Sequence, residues 1–129
     1  MSLPVNVWEA VDNLIKGLSS QTLDAIKSIQ KEKNIAGYHF SLGKMIRNDW
    51  LYTPFSKLKL WFYEHHIWHT DDMSSIILKC LWCAVKNLPF NLDDKFTYYK
   101  DFWSKNYIHP QDLPKEYVDF WKARNVSIP

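Results

Sequence analysis

Thr70-Asp71-Asp72-Met73-Ser74-Ser75-Ile76-Ile77-Leu78-Lys79-Cys80-Leu81-Trp82-Cys83-Ala84-Val85 is the stretch that decides the fold. Met73, Ile76, Ile77, Cys80, Cys83, Ala84 and, further on, Leu88 recur at steps of three and four, the spacing of one buried helical face. Thr70 or Asp71 is placed to cap this helix, and Asp71 and Asp72 put negative charge at its positive end. Pro89 closes it. A helix this apolar needs other helices to cover it.

The flanking sequence supplies them. A first helix is expected over 6–15, capped by Asn6 with Glu9 reaching back, and ended by a left-handed Gly17. Ser19 or Ser20 starts a second, with Leu23, Ile26 and Ile29 inward and Lys31 and Lys33 at its negative end. A third runs from about Tyr38 to Asp49 and buries His39, Leu42 and Ile46. Thr53-Pro54 reads as a cap and first helical residue for a fourth, through Leu58, Trp61, Phe62 and His65. Two shorter helices are expected at about 94–105 and 114–123, joined by a loop at Ile108-His109-Pro110. With only three glycines, a sandwich or barrel lacks the residues its tight turns need. The expectation is an all-α, compact single-domain bundle of five to seven helices. Residues 1–129 form one domain, with a core over 6–88 and an aromatic-rich helical extension over 89–129.

The 129 residues are 47% hydrophobic and 23% charged, a globular composition with a formal charge of +2. No apolar run reaches the ~20 residues of a membrane span, and the N-terminus lacks the pattern of a signal peptide. Two cysteines three apart make no disulfide framework. A reduced, cytoplasmic setting with no membrane partner is therefore expected. The net charge is balanced, but seven basic residues (Lys27, Lys31, Lys33, Lys44, Arg47, Lys57, Lys59) crowd the middle and acids gather between Asp93 and Asp119. A solvated helix face accounts for those cations better than a nucleic acid does.

Four patterns invite a catalytic or metal-binding reading. Cys80-Leu81-Trp82-Cys83 lies inside a helix on its apolar stripe, where cysteine acts as a small hydrophobe. His65 and His69 have zincin spacing, but Glu64 precedes His65 and H-E-x-x-H is absent, so solvent-facing or capping histidines are expected. Asp71-Asp72 and Asp93-Asp94 point about 100° apart on a helix and suit capping rather than shared proton transfer. No glycine-flanked serine elbow and no phosphate loop occurs. No catalytic residue, metal or cofactor is assigned.

The aromatic residues are more informative. Trp, Tyr and Phe number seven each, and Phe90, Phe96, Tyr98, Tyr99, Phe102, Trp103, Tyr107, Tyr117, Phe120 and Trp121 crowd the last 40 positions. Two short helices cannot turn all of them inward, because Tyr98-Tyr99 and Phe102-Trp103 diverge. Exposed rings beside acids are the composition of a protein-binding surface. Asp93, Asp94, Tyr98, Tyr99, Asp101, Trp103 and Tyr107 are the expected contacts, against the alternative that these rings pack an aromatic core.

Tyr38-His39-Phe40-Ser41-Leu42-Gly43-Lys44-Met45-Ile46-Arg47-Asn48-Asp49-Trp50 resembles the signature L-H-F-x-L-G-x-x-I-R-N-x-W of an uncharacterised bacterial family of small helical proteins. His69-Thr70-Asp71-Asp72-Met73-Ser74-Ser75-Ile76-Ile77-Leu78 is similar to its second block, H-P-D-D-M-S-x-x-I-L, with Thr70 in place of proline. The resemblance covers about 6–85. Proteins of this type look like the immunity and accessory proteins encoded beside bacterial toxins. That implies a protein that neutralises a cognate, secreted toxin by stoichiometric binding. Within the motif, Arg47 is expected to pair with Asp71 or Asp72, and His39, Asn48, Trp50 and His69 to belong to the same structural junction. The rival is a small enzyme or metal protein built on His39, Arg47, His69 and Asp72, and a third possibility is a nucleic-acid-associated regulator. The oligomeric state is left open.

Overall fold

The computed structural model describes residues 2–106 and 109–125, with the side chain of Pro110 excluded. Among these residues there are helices and no strand, the all-α single domain expected from the sequence. α1 spans Val7–Gly17, α2 Ser20–Lys27, α3 Lys44–Ile46, α4 Lys57–Glu64, α5 Thr70–Val85, α6 Leu92–Lys105 and α7 Lys115–Lys122. A 3₁₀ segment covers Glu32–Tyr38, another Pro110–Asp112, and wide π turns at His39–Gly43 and Arg47–Leu51 flank α3. No helix among the described residues is long and apolar enough to cross a membrane.

α5 is the axis. Met73, Ile76, Ile77, Leu78, Cys80 and Leu81 are buried along it, and α1, α2, α4, the first 3₁₀ segment and the π turns close around them. Each such side chain contributes roughly 1.5–3 kcal/mol by leaving water, so this one helix organises most of the hydrophobic stabilisation. α1 brings Val7, Ala10, Val11 and Leu14 to it. α7 packs on α4 instead: Tyr63 meets Tyr117 and Phe120 edge-on at 5.2 and 5.6 Å, and Lys59 pairs with Glu116 at 2.6 Å.

Several local expectations are corrected. His69, not Thr70 or Asp71, caps α5: its ring Nδ1 accepts from the Asp71 amide at 3.2 Å. Asn6 does cap α1, accepting from the Glu9 amide at 2.9 Å, but Glu9 reaches to the Val5 amide. Gly17 keeps a negative φ as the last residue of α1, and Leu18 caps the helix. α2 stops at Lys27, so Lys31 and Lys33 lie beyond its end. Ser56 starts α4, accepting from the Lys59 amide at 3.1 Å while donating to the Trp50 carbonyl at 2.6 Å. Its hydroxyl serves both neighbours, and Thr53-Pro54 forms the preceding turn.

Candidate functional site

Arg47 is the best-buried cation of the sequence motif, 8% exposed. A buried guanidinium must find acceptors for its donors, because an unpaired charge costs far more than packing returns. Nη1 donates to Ser74 Oγ at 2.9 Å, Nη2 to the His39 carbonyl at 3.1 Å, and Nε lies 3.5 Å from Asp71 Oδ1. Ser74 Oγ in turn donates to the Asp71 carbonyl at 3.0 Å. His39 Nδ1 sits 3.4 Å from Nη1, on the same fork. The π turns set this geometry, since the Tyr52 amide bonds the Arg47 carbonyl five residues back at 2.8 Å. A widened turn re-aims the side chains around it relative to a regular helix.

Gly43, one turn before Arg47, leaves room for the fork. A Cβ built there would lie 3.0 Å from Arg47 Nη1. The glycine is required by the guanidinium rather than by backbone freedom, since its φ is −59°. The sequence motifs contain Ser74 and Gly43 without assigning them to this network, although the four-residue offset from Gly43 to Arg47 is the available signal.

A second network lies beside the first. Asp72 Oδ2 accepts from the Trp103 indole at 2.8 Å, and the ring of Trp103 stacks on His69 at 5.5 Å and meets Trp68 at 4.8 Å. Burial pushes the Asp72 carboxyl above its usual range, against the Trp103 hydrogen bond and the nearby His69, which lower it. His39, Arg47, His69 and Asp72 thus divide between two networks in which each has a structural partner. Asn48 is exposed and stands outside both, and Trp50 is half-buried with its carbonyl on Ser56. No group of three His, Cys, Asp or Glu side chains among the described residues gathers as a metal-ion site.

His65 and His66 face rings. His65 stacks on Phe96 at 4.6 Å and His66 on Trp121 at 4.8 Å. Burial lowers the pKa of both imidazoles. Cys80 and Cys83 are free and buried, and burial raises the Cys80 thiol to about 12. Cys83, the buried Lys95 and its partly exposed partner Glu32, 2.9 Å away, line a cleft of about 630 Å³ between the 3₁₀ segment and α6. Lys95 also donates to the Phe90 carbonyl. Burial is the largest influence and opposes its charge, but the Glu32 hydrogen bond, the neighbouring thiols and the Glu32 charge together raise its pKa.

The acidic, aromatic extension is divided. Tyr117, Phe120 and Trp121 of α7 and Phe96 of α6 are buried core. Tyr99 is half-buried with its hydroxyl on Lys79 Nζ at 3.0 Å, and Trp103 is half-buried in the network above. Asp93, Asp94, Asp101 and Tyr98 are exposed, the last at 62%, and Phe102 joins them at 45%. Tyr107 lies outside the described residues. Asp94, Tyr98, Asp101 and Phe102 are spaced by three and four residues and therefore share one face of α6.

The basic middle is thinner in space than in sequence. Arg47 is interior and Lys59 is paired, which leaves Lys27, Lys31, Lys33, Lys44 and Lys57 on the surface.

No curated protein and no solved structure matches the chain. The model of one family, described as a domain of unknown function (DUF6794), matches residues 3–85, which takes in α1 to α5 and both motif blocks and leaves α6 and α7 beyond it. The chain belongs to the DUF6794 family.

Proposed function

We propose that this protein is a non-catalytic, protein-binding module, specifically an immunity protein that neutralises a cognate bacterial toxin by stoichiometric docking. One observation carries the reading: Tyr98 and Phe102 stand exposed four residues apart on α6, flanked by the carboxylates of Asp94 and Asp101. Two exposed rings on one helix face, rimmed by charge, make the kind of partly apolar surface that partners cover. Asp93 adds a further carboxylate, while Trp103 and Tyr99 brace the helix from beneath. An acidic face suits a basic toxin, since complementary charge speeds encounter and rejects wrong partners.

The interior of the domain fits a scaffold role. Of the residues of the rival catalytic reading, Arg47 binds His39, Ser74 and Asp71, His69 Nδ1 accepts from the Asp71 amide, and Asp72 accepts from Trp103.

The test is co-expression with the toxin domain encoded beside this chain's gene. A complex of one copy of each, together with rescue of growth, supports the reading. Two proteins that elute separately, with growth still arrested, refute it.

A further inference from the structure

Where α1, α4 and the start of α6 meet, Trp8, Trp61, His65, Phe90 and Phe96 line a pocket of about 320 Å³ that also holds Asp93. The two indoles stand nearly perpendicular, 79° apart with centroids at 5.8 Å, and Phe96 closes on Trp61 at 5.8 Å and 60°. His65 stacks flat on Phe96 and backs the Trp61 ring at 4.5 Å. Trp8 is 55% exposed although it forms a wall.

Several aromatic side chains wall one small space with a carboxylate among them, an apolar lining beside one negative charge. Ring faces attract cations electrostatically, most strongly when the cation is partly desolvated. Cation–ring contacts elsewhere involve Lys79 on Tyr98 and Tyr99, Lys86 on Trp82 and Arg124 on Phe120; among the described residues none falls in this pocket. Around His65 the carboxylates of Glu64 and Asp93 outnumber the ammonium of Lys100. Burial favours the neutral imidazole, so His65 adds no repulsion at neutral pH.

We infer that this pocket is an anchor site for the ammonium of a lysine side chain, with the indoles and Phe96 around the cation and Asp93 paired to it. The inference rests on the proposed docking role and deepens it: Asp93 belongs to the first turn of α6, so the lysine would be the partner's, inserted at the edge of the docking face.

Titrations of the full chain with Nα-acetyl-lysine methylamide, its Nε-trimethyl derivative, choline and the neutral analogue Nα-acetyl-norleucine methylamide test it, read from the indole N–H resonances of Trp8 and Trp61. Both lysine derivatives are expected to bind saturably and to shift both indoles, with norleucine at least tenfold weaker. Trp8→Ala should weaken lysine binding about tenfold and Asp93→Asn about threefold. Both positions are exposed, and unchanged far-UV circular dichroism establishes that the variants fold. Equal binding of norleucine, or binding of choline alone, overturns the inference, as does silence of both indoles. The probes need no toxin, so their failure beside an intact toxin complex sinks this pocket and leaves the docking role standing; binding of the probes without any complex does the reverse.

Discussion

Arg47 Nη1 donates to Ser74 Oγ at 2.9 Å across 27 positions of sequence, and this bond joins the two motif blocks. Truncating Arg47 to alanine removes the donor from the Ser74 hydroxyl and from the His39 carbonyl and opens a cavity. The expected loss is about 3 kcal/mol of unfolding free energy. Asp71→Asn is expected to cost less than about 1 kcal/mol, because that carboxylate is half-exposed and its attraction is screened. Urea unfolding of both variants checks the ranking, and equal losses would show that the ion pair, rather than the neutral acceptors, holds the guanidinium.

Gly43→Ala has two opposing effects. Alanine gains about 1 kcal/mol over glycine in a helix, but its Cβ would sit 3.0 Å from Arg47 Nη1 and displace the fork. Destabilisation is expected in the natural background. In an Arg47→Ala background the obstruction is gone, and the same change should stabilise. A double-mutant cycle measures the sign reversal; if Gly43→Ala has the same sign in both backgrounds, contact with Arg47 is not the reason for glycine.

Much of the fold was legible in the sequence because α5 obeys a single period. Its stripe, the Asn6 and Ser19 caps and the α6 and α7 segments could all be placed from side-chain spacing. The segment around Arg47 could not. A 3.6-residue reading buries His39, Leu42 and Ile46, but the two π turns bring Gly43, Arg47 and Leu51 inward, and His39 and Leu42 remain half-buried. Periodicity assumes a constant turn, so it carries no warning of a widened one. The sequence offers a capping role for the histidines in general but points to Thr70 or Asp71 for α5, because capping by an imidazole depends on ring orientation whereas Thr70 and Asp71 have the usual side chains. At the candidate site the acids and Tyr98 stood out by composition. Nothing local could tell Trp103, folded onto His69, from Phe102, left in water.

The stacked histidines give the stability a pH dependence. Burial lowers the folded-state pKa of His65 and His66 below the ordinary 6.5, with Glu64 and Asp93 opposing and Lys100 reinforcing it at His65. A depressed histidine pKa means that the unfolded chain binds protons first. The contribution is therefore fully present above pH 6.5 and lost as pH falls toward the folded values. Asp72 has the opposite sign, since burial raises its pKa and so favours the protonated fold. Urea midpoints should fall between pH 7 and 5.5, and a His65→Gln/His66→Asn variant should flatten that slope. A midpoint that rises on acidification contradicts the assignment.

Buried Lys95 pairs with a partly exposed Glu32, and the effect of removing the pair should depend on how it is done. Glu32→Gln leaves the ammonium with weaker acceptors and is expected to cost about 2 kcal/mol, discounted because the carboxylate side is 37% exposed. Replacing both, as Glu32→Leu/Lys95→Met, should be nearly neutral, since an apolar pair removes the desolvation penalty. Thermal unfolding of the two variants distinguishes a costly half-pair from a pair that stabilises in its own right.

Calorimetric titration of the cognate toxin domain into the natural protein and into Tyr98→Ala/Phe102→Ala tests the central claim most directly. Exposed rings that anchor a partner are worth about 2 kcal/mol or more each. The double variant should therefore unfold at the natural temperature yet bind at least a hundredfold more weakly. Unchanged affinity in a folded double variant would contradict docking on the outer face of α6.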